Sequence, residues 1–297
     1  DRPRLTQISD YLYRVHGIRV SETKRAAEEG LMRRYDAETR TLHLSSTSSA
    51  STNLFQLAYQ VGLLEQAPLM ERLLDQAGFH SQSAREVCRM TFANYFAGAV
   101  VLPYMRFLEA AQATRHDLDR LAFQFDASRE QVCHRLSMLQ RPGHKGVPFF
   151  FVRVDRAGTI TKRHSATSLQ FTRFGGSCPL WNVHKAFERP DEILRQLAST
   201  PDGRRYMCLA FCKSIPGADF RSQPQKYAIG LGCEAKHARQ LVYSYDMDLG
   251  DDSLFDPIGT GCRVCDRQGC AARSVPPLTH DIEIDHNARR ATPFRLT

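Results

Sequence analysis

The sequence predicts an α+β protein, with a mainly helical N-terminal part and an α+β C-terminal part that ends in a cysteine-rich loop. Up to about residue 140, apolar residues recur at helical spacing, as Leu54, Ala58 and Val61 do. After residue 146 the pattern changes to strand-like runs separated by turn signals. The polar stretch 141–146 contains two glycines and a proline, so we place a boundary there, between domains of residues 1–142 and 147–297.

Six helices and one hairpin are predicted in the N-terminal part. The helices cover residues 5–15, a segment that includes Leu54 to Val61, and residues 69–77, 84–101, 115–125 and 128–139. Ser128 precedes the last of them and is a residue type that caps helix N termini. The hairpin consists of residues 31–35 and 41–44 around a polar turn.

Five strands and three short helices are predicted in the C-terminal part. The strands cover residues 147–154, 159–164, 168–174, 205–212 and 226–232. The helices cover residues 179–187, 191–198 and 234–242. Pro179 suits the first position of a helix, because an N–H group would have no helical partner there.

The composition is typical of a soluble globular protein. Lys and Arg number 40 against 32 Asp and Glu, a formal charge of +8, and 42% of the 297 residues are hydrophobic. The longest nearly apolar run, residues 95–103, is far shorter than the roughly 20 residues of a membrane helix, so no membrane partner is expected. The chain begins at Asp1 without Met or an apolar signal region, so we expect a cytoplasmic fragment of a longer protein.

The most specific motif is C-x2-C-x4-C, formed by Cys262, Cys265 and Cys270; we call residues 261–270 the cysteine knuckle. Three thiolates so close together can wrap around one metal ion or cluster. Zinc and iron–sulfur clusters both accept this spacing, and both usually need a fourth ligand. Cys233 is the preferred fourth ligand, because it ends a predicted strand beside two glycines. Weaker candidates for that position are Cys178, Cys212 and His237.

Positive charge is concentrated between residues 141 and 185, where eight basic residues and one acidic residue give +7. The same segment holds five phenylalanines and the only tryptophan. Such a surface suits an anion with an aromatic or apolar body, and two glycines before a helix N terminus favour phosphate. The candidate anion-binding residues are Arg153, Lys162, Arg163, Arg173, Phe174, Gly175, Gly176 and Trp181. A basic, aromatic-rich sheet can also hold nucleic acid, and that alternative stays open.

Residues 55–63 and 93–103 resemble the IrrE-like zinc metallopeptidase domain. That family carries H-E-x-x-H on its first helix, where two His bind zinc and the Glu activates a water molecule. Here the three positions hold Tyr59, Gln60 and Leu63, which cannot do this. The resemblance therefore implies a retained fold without a peptidase site, and we predict no catalytic residue and no enzyme.

Residues 171–184, 232–238 and 257–265 resemble the short-chain fatty acyl regulator family, through R-F-G-G-S-C-P-L-W and C-R-V-C. Its members are bacterial transcription factors with an N-terminal helix-turn-helix, a degenerate IrrE-like domain and this cysteine-containing effector domain. The resemblance spans nearly the whole chain and is strongest to activators of the methylcitrate cycle, which serves propionate metabolism.

This resemblance implies that the effector is CoA or a short-chain acyl-CoA, bound by the candidate anion-binding residues. It implies an iron–sulfur cluster of the [4Fe–4S] type, with zinc as the alternative, held by Cys233, Cys262, Cys265 and Cys270. It also implies that promoter DNA is bound by a helix-turn-helix preceding Asp1 and absent from this chain. We further expect a homo-oligomer, a dimer or a tetramer, and that ligand changes its size or domain arrangement.

Two alternative functions remain. A zinc-knuckle module for nucleic acid would bind DNA tightly, with a steep dependence on salt. A metallopeptidase with displaced ligands is the weaker alternative, because no pair of histidines in the N-terminal half is spaced four residues apart with a Glu between them.

Overall fold

The computed structural model describes residues 3–24, 30–171, 176–190, 192–215, 217, 220–221, 223–289, 292 and 294–296. It confirms the α+β class, with helices dominating the first half and sheets the second. The chain divides into two compact units. The N-terminal unit comprises Asp1–Ala110, Leu118–Val132 and Ala218–Ser222, and the C-terminal unit comprises Ala111–Asp117, Cys133–Gly217 and Gln223–Thr297. The domain boundary proposed at residues 142–147 stays a prediction.

The helices of the first half follow the predicted pattern with one addition. They are α1 (Arg4–His16), α2 (Ala50–Glu65), α3 (Ala67–Gln76), α4 (Gln82–Val101), α5 (Tyr104–Ala113), α6 (Leu118–Gln124) and α7 (Arg129–Ser137). Helix α5 was not predicted, and the helix expected over residues 115–125 begins only at Leu118. The reason is that Arg115 and His116 adopt left-handed backbone conformations, with φ of 51° and 61°.

Helix α7 is capped as the sequence predicts. The Ser128 hydroxyl accepts a hydrogen bond from the Gln131 N–H at 3.2 Å. In return, the Gln131 side-chain oxygen accepts the Ser128 N–H at 2.7 Å. This reciprocal pair satisfies two N–H groups at the start of the helix.

The N-terminal unit contains a three-stranded sheet of β1 (Arg19–Thr23), β2 (Arg33–Asp36) and β3 (Thr41–Ser45), in the order β1-β3-β2. Strands β2 and β3 are antiparallel, which confirms the predicted hairpin, and β1 runs parallel to β3. Leu42 and Leu44 are fully buried and pack in one core cluster with Leu12 of α1 and Leu57 of α2. This sheet therefore owes its stability to helices packed on one face.

The C-terminal unit is built on a six-stranded sheet in the order β11-β8-β9-β10-β6-β7. Its elements are β4 (Gln140–Arg141), β5 (His144–Lys145), β6 (Phe149–Asp155), β7 (Ile160–Ser165), α8 (Asn182–Lys185), β8 (Leu194–Ser199), β9 (Arg205–Ile215), β10 (Gln225–Glu234), β11 (Asp256–Pro257), β12 (Ile282–Glu283) and β13 (Arg295–Leu296). Strands β4 and β5 form a small hairpin, and so do β12 and β13. Neighbours within the six-stranded sheet are antiparallel, except that β11 runs parallel to β8.

Three local predictions in this unit are wrong. Residues 191–198, expected to be helical, contain strand β8, because Leu197 and Ala198 are buried beside β9 and complete its hydrogen bonding. Residues 168–171 are not a strand; the rest of that predicted strand, residues 172–174, lies outside the described residues. The helix expected over 234–242 is instead a 3₁₀ helix at Ala235–Gln240. Across the described residues, no helix combines the length and apolarity that a membrane crossing requires.

The two faces of the large sheet have separate roles. Phe150 and Cys208 lie on the first face, in a core cluster with Trp181. Phe149 and Met207, one residue along in each strand, point to the second face, because side chains alternate along a strand.

Acid is expected to destabilise the protein through His134, which is buried against Phe151 with ring centroids 5.2 Å apart. Burial, and then the charges of Lys162, His164 and Arg135, lower the pKa of His134 from 6.5 to about 3. The unfolded chain therefore binds a proton between pH 6.5 and 3 that the folded chain does not, so stability falls as pH drops through this range. Between pH 6.5 and 5 the free energy of unfolding is expected to fall by about 2 kcal/mol.

The measurement is urea unfolding of wild type and His134→Gln at pH 7 and pH 5. The variant removes the titrating group, so it should lose about 2 kcal/mol less than wild type on acidification. An equal loss in both proteins would show that His134 is not responsible.

Candidate functional site

The buried side chain of Arg273 stabilises the cysteine knuckle through hydrogen bonds to its backbone. The guanidinium of Arg273 donates hydrogen bonds to the backbone carbonyls of Cys262 at 3.1 Å, Cys265 at 3.1 Å and Arg267 at 2.6 Å. Arg273 is only 8% exposed, and no carboxylate among the described residues pairs with it. Thiolates in this loop would supply the negative charge that such a buried cation otherwise lacks.

Cys178 lies beside the knuckle, and Gly259 lies close to both Cys178 and the knuckle residue Cys265. The backbone N–H groups of Gly259 and Leu180 donate toward the Cys178 sulfur. A Cβ atom at Gly259 would lie 2.7 Å from the Cys265 sulfur, so two sulfurs approach this one glycine. Burial raises the pKa of Cys178, the two N–H groups lower it, and the thiols of Cys262 and Cys265 raise it again.

Cys233 is not grouped with the knuckle cysteines. It is fully buried in β10, opposite Phe149 and Met207, and so points to the second face of the sheet. Burial raises the pKa of the Cys233 thiol well above its usual range, which disfavours the thiolate that binds metal. Cys178, by contrast, belongs to the core cluster of the first face.

The two glycines beside Cys233 have a packing role. A Cβ atom at Gly232 would lie 2.4 Å from the Phe150 ring and 2.7 Å from the Met207 carbonyl oxygen. One at Gly230 would lie 2.8 Å from a Val152 methyl group. These glycines leave room for Phe150 and Val152 on the first face, so packing alone accounts for the glycines that favoured Cys233 in the sequence.

Within the described residues, no set of three or more Cys, His, Asp or Glu is already arranged around a metal position. Of the weaker fourth-ligand candidates, Cys212 is buried in β9, and the His237 ring contacts the Gln240 side chain at 3.2 Å. The metal-ligand assignment therefore stays a prediction.

The candidate anion-binding residues on β6 and β7, which the structure describes, lie on opposite faces of the sheet. Arg153 and Lys162 are cross-strand neighbours on the second face, where Arg153 lies 4.8 Å from the Tyr227 ring centroid. Arg163 pairs with Val152 and points to the first face. Gly176 is exposed. The remaining positions before it, Arg173, Phe174 and Gly175, lie outside the described residues.

Trp181 lies in the core of the first face, and its predicted contact with a ligand stays a prediction. It is 4% exposed and stacks on Phe171, with ring centroids 5.9 Å apart and planes at 19°. Its ring also packs edge-on against Phe150. The sequence could not distinguish this role, because a tryptophan in a basic segment suits both a core and an aromatic ligand.

A fourth local prediction in this unit, the helix N terminus at Pro179, is wrong as well. Helix α8 begins at Asn182, three residues later, and has a single turn. The Asn182 N–H, which would face a phosphate, donates to the Gln196 side chain at 2.9 Å. The N–H group at the start of this helix is therefore satisfied within the protein.

Two clefts open on the C-terminal unit. The knuckle cleft, about 710 Å³, is lined by residues 168–170, 200–202, Tyr206, Thr260 and 264–268. The basic cleft, about 600 Å³, is lined by Arg204, Arg205, Glu234, Ala235, Lys236, Arg239, Leu249 and Gly250. Sequence reasoning missed the basic cleft; its one local signal is the Arg204-Arg205 pair at the start of β9.

In the N-terminal unit, an arginine occupies the position of the degenerate peptidase site. The Arg33 guanidinium lies 4.5 Å from the centroid of the Tyr59 ring and donates to the buried Gln60 side chain. Burial lowers the pKa of Arg33, and Tyr59 partly offsets this. A cation beside the two residues that replace His and Glu of H-E-x-x-H opposes metal binding there.

Comparison with known proteins gives consistent matches over the whole chain. Residues 138–294 match the short-chain fatty acyl coenzyme A regulator, C-terminal, and residues 14–137 match the IrrE N-terminal-like domain. The propionyl-CoA carboxylase regulator of Cereibacter sphaeroides is 59% identical over 255 residues, covering 86% of this chain and 55% of that protein. The HTH-type transcriptional regulator PrpR of Mycobacterium tuberculosis is 44% identical over 265 residues, covering 89% of this chain and 54% of PrpR.

A solved structure of a Mycobacterium tuberculosis transcriptional regulator superimposes with a TM-score of 0.92 at 41% identity, covering 98% of this chain and 88% of that one. The chain spans just over half the length of the two curated relatives. All three are named as regulators, in agreement with the prediction that this chain is not an enzyme.

Proposed function

This chain belongs to the short-chain fatty acyl coenzyme A regulator family, and from that premise we propose that it is the effector-sensing core of a bacterial transcription factor. Its effector is CoA or a short-chain acyl-CoA, and it acts in the cytoplasm on genes of propionate metabolism. Promoter DNA is contacted by a helix-turn-helix elsewhere in the full protein. The observation that carries the proposal is the family match over residues 138–294, the part that contains the knuckle and both clefts.

The cysteine knuckle is proposed to hold an iron–sulfur cluster through Cys178, Cys262, Cys265 and Cys270. Two observations support this donor set: the sulfurs of Cys178 and Cys265 both approach Gly259, and Arg273 lies buried in the loop without a carboxylate partner among the described residues. Backbone N–H groups aimed at a cysteine sulfur and a nearby arginine both favour the thiolate. A bound cluster would supply a centre that responds to iron or to redox state.

Regulation requires that the effector prefer one conformation or assembly of the protein over another. The proposed protein is a homo-oligomer, a dimer or a tetramer, whose size or shape changes when CoA binds. The wall of the knuckle cleft contains Cys265 and the three residues that follow it, so a ligand in this cleft and a cluster on the knuckle would act on the same loop.

The test is titration of the purified chain with CoA and propionyl-CoA by calorimetry, with sedimentation of the same samples. We expect saturable binding of one ligand per chain and a change in sedimentation coefficient. Free adenine nucleotides without the CoA arm are the control and should bind more weakly. Absence of CoA binding, or binding that changes neither size nor shape, would overturn the sensor proposal.

A further inference from the structure

The two clefts of the C-terminal unit differ in charge. Four of the eight residues that line the basic cleft are cationic and only Glu234 is acidic, a balance of +3. The knuckle cleft is lined mainly by hydroxyl, amide and apolar side chains, with Asp202, Asp266 and Arg267 giving a balance of −1. A polyanion is therefore attracted to the basic cleft and an uncharged group is better suited to the knuckle cleft.

Three of the four cations of the basic cleft are each paired with a carboxylate, and the fourth, Arg239, is not paired with one among the described residues. Arg205 is fixed by Asp252 at 2.6 Å and by the Phe255 ring, whose centroid lies 5.0 Å away. Lys236 pairs with Glu234 at 2.5 Å. Arg239 has no carboxylate partner among the described residues, so its charge is available to a ligand.

The two clefts adjoin at the turn between β8 and β9. The Ser168 hydroxyl, in the knuckle cleft, contacts the Tyr206 hydroxyl at 3.0 Å and donates to Glu234 of the basic cleft at 3.1 Å. Arg204 of the basic cleft pairs with Asp202 of the knuckle cleft at 3.2 Å. A ligand longer than either cleft can therefore lie across both of them.

We propose that the basic cleft binds the phosphate groups of the effector and that the knuckle cleft receives its uncharged arm. This assignment rests on the proposed function. CoA carries all its phosphates at the nucleotide end, while its arm contains two neutral amides and ends in the thiol or thioester. In this orientation, the hydroxyl and amide groups of Thr260 and Gln268 are available to the arm, and the acyl end lies toward Val264 and Cys265.

The test is calorimetric titration of the full chain with CoA, adenosine 3′,5′-bisphosphate and pantetheine, using wild type and four variants. Arg239→Gln and the double variant Arg204→Gln/Arg239→Gln remove cations of the basic cleft. Arg156→Gln, in the exposed β6–β7 turn, is the matched control. Lys162→Gln/Arg163→Gln tests the alternative placement on β7. Circular dichroism checks that every variant is folded.

Arg239→Gln should lower the affinity for CoA and for the bisphosphate by about tenfold or more, because a charged hydrogen bond to phosphate is lost. The double variant should lower the affinity for CoA and for the bisphosphate further, while its affinity for pantetheine stays unchanged. Arg156→Gln should change nothing. If wild type binds CoA and the cleft variants bind it equally well, or if only Lys162→Gln/Arg163→Gln weakens it, this assignment is overturned and the sensor proposal stands. If wild type binds no CoA, both are overturned.

Discussion

Replacing Gly232 by alanine is expected to destabilise the C-terminal unit by about 3 kcal/mol, the upper end of the usual cost of overpacking a core. The added Cβ atom would lie 2.4 Å from the Phe150 ring and 2.7 Å from the Met207 carbonyl oxygen. Neither the Phe150 ring nor the Met207 carbonyl group can move away easily. The carbonyl belongs to β9, which is hydrogen-bonded to β10 on that side, and the Phe150 ring is packed among other aromatic rings.

Three rings hold Phe150 in place: Phe171, Trp181 and Tyr206, with centroids at 5.6, 5.9 and 6.2 Å. Displacing Phe150 would therefore disturb the whole first-face cluster.

The measurement is equilibrium unfolding in urea, followed by the midpoint of the transition. Gly98→Ala is the matched control, because Gly98 lies within helix α4 and a Cβ atom there meets nothing within 4 Å. That substitution should stabilise the protein by up to about 1 kcal/mol, since alanine is the better helix former. Equal midpoints for Gly232→Ala and wild type would show that β10 can move away from Phe150.

Most of the fold could be predicted from the sequence, because local patterns decide most of its elements. Strands β6 and β7 alternate around a turn, and the capping residue Ser128 marks the start of α7. Strand β8 could not be found in this way. Its residues become a strand because β9 offers them a hydrogen-bonding edge, and that partner is distant enough along the chain to leave no local signal.

In the candidate site, too, the residues of a local motif could be predicted, and those brought together by the fold could not. The knuckle is a local motif, so its spacing alone identified Cys262, Cys265 and Cys270. The fourth cysteine is a matter of which face of the sheet a side chain occupies and where a later loop returns. Neither is visible as a pattern of neighbours, so the sequence favours Cys233, whereas the arrangement around Gly259 favours Cys178. The basic cleft was missed for the same reason, because β9 and the segment after β10 each supply part of it.

The two cysteine assignments lead to opposite results for a matched pair of variants. We expect Cys178→Ser to lose the cluster, as Cys262→Ser does, and Cys233→Ser to keep it. The sulfur of Cys178 approaches Gly259 together with that of Cys265, whereas Cys233 points to the other face of the sheet. Serine is close in size to cysteine but is a poor ligand for iron, so each variant removes a donor with little change in packing.

The measurement is iron and sulfide content of anaerobically purified protein, with the visible absorption spectrum and zinc content determined on the same samples. Urea unfolding of the iron-free forms controls for folding, because both cysteines are buried and a hydroxyl there costs about 1–3 kcal/mol without a partner. Iron lost from Cys233→Ser and retained by Cys178→Ser would restore the ligand set predicted from the sequence. Wild type that is colourless and carries one zinc per chain would make the knuckle a structural zinc site, and the sensor proposal would then rest on the clefts alone.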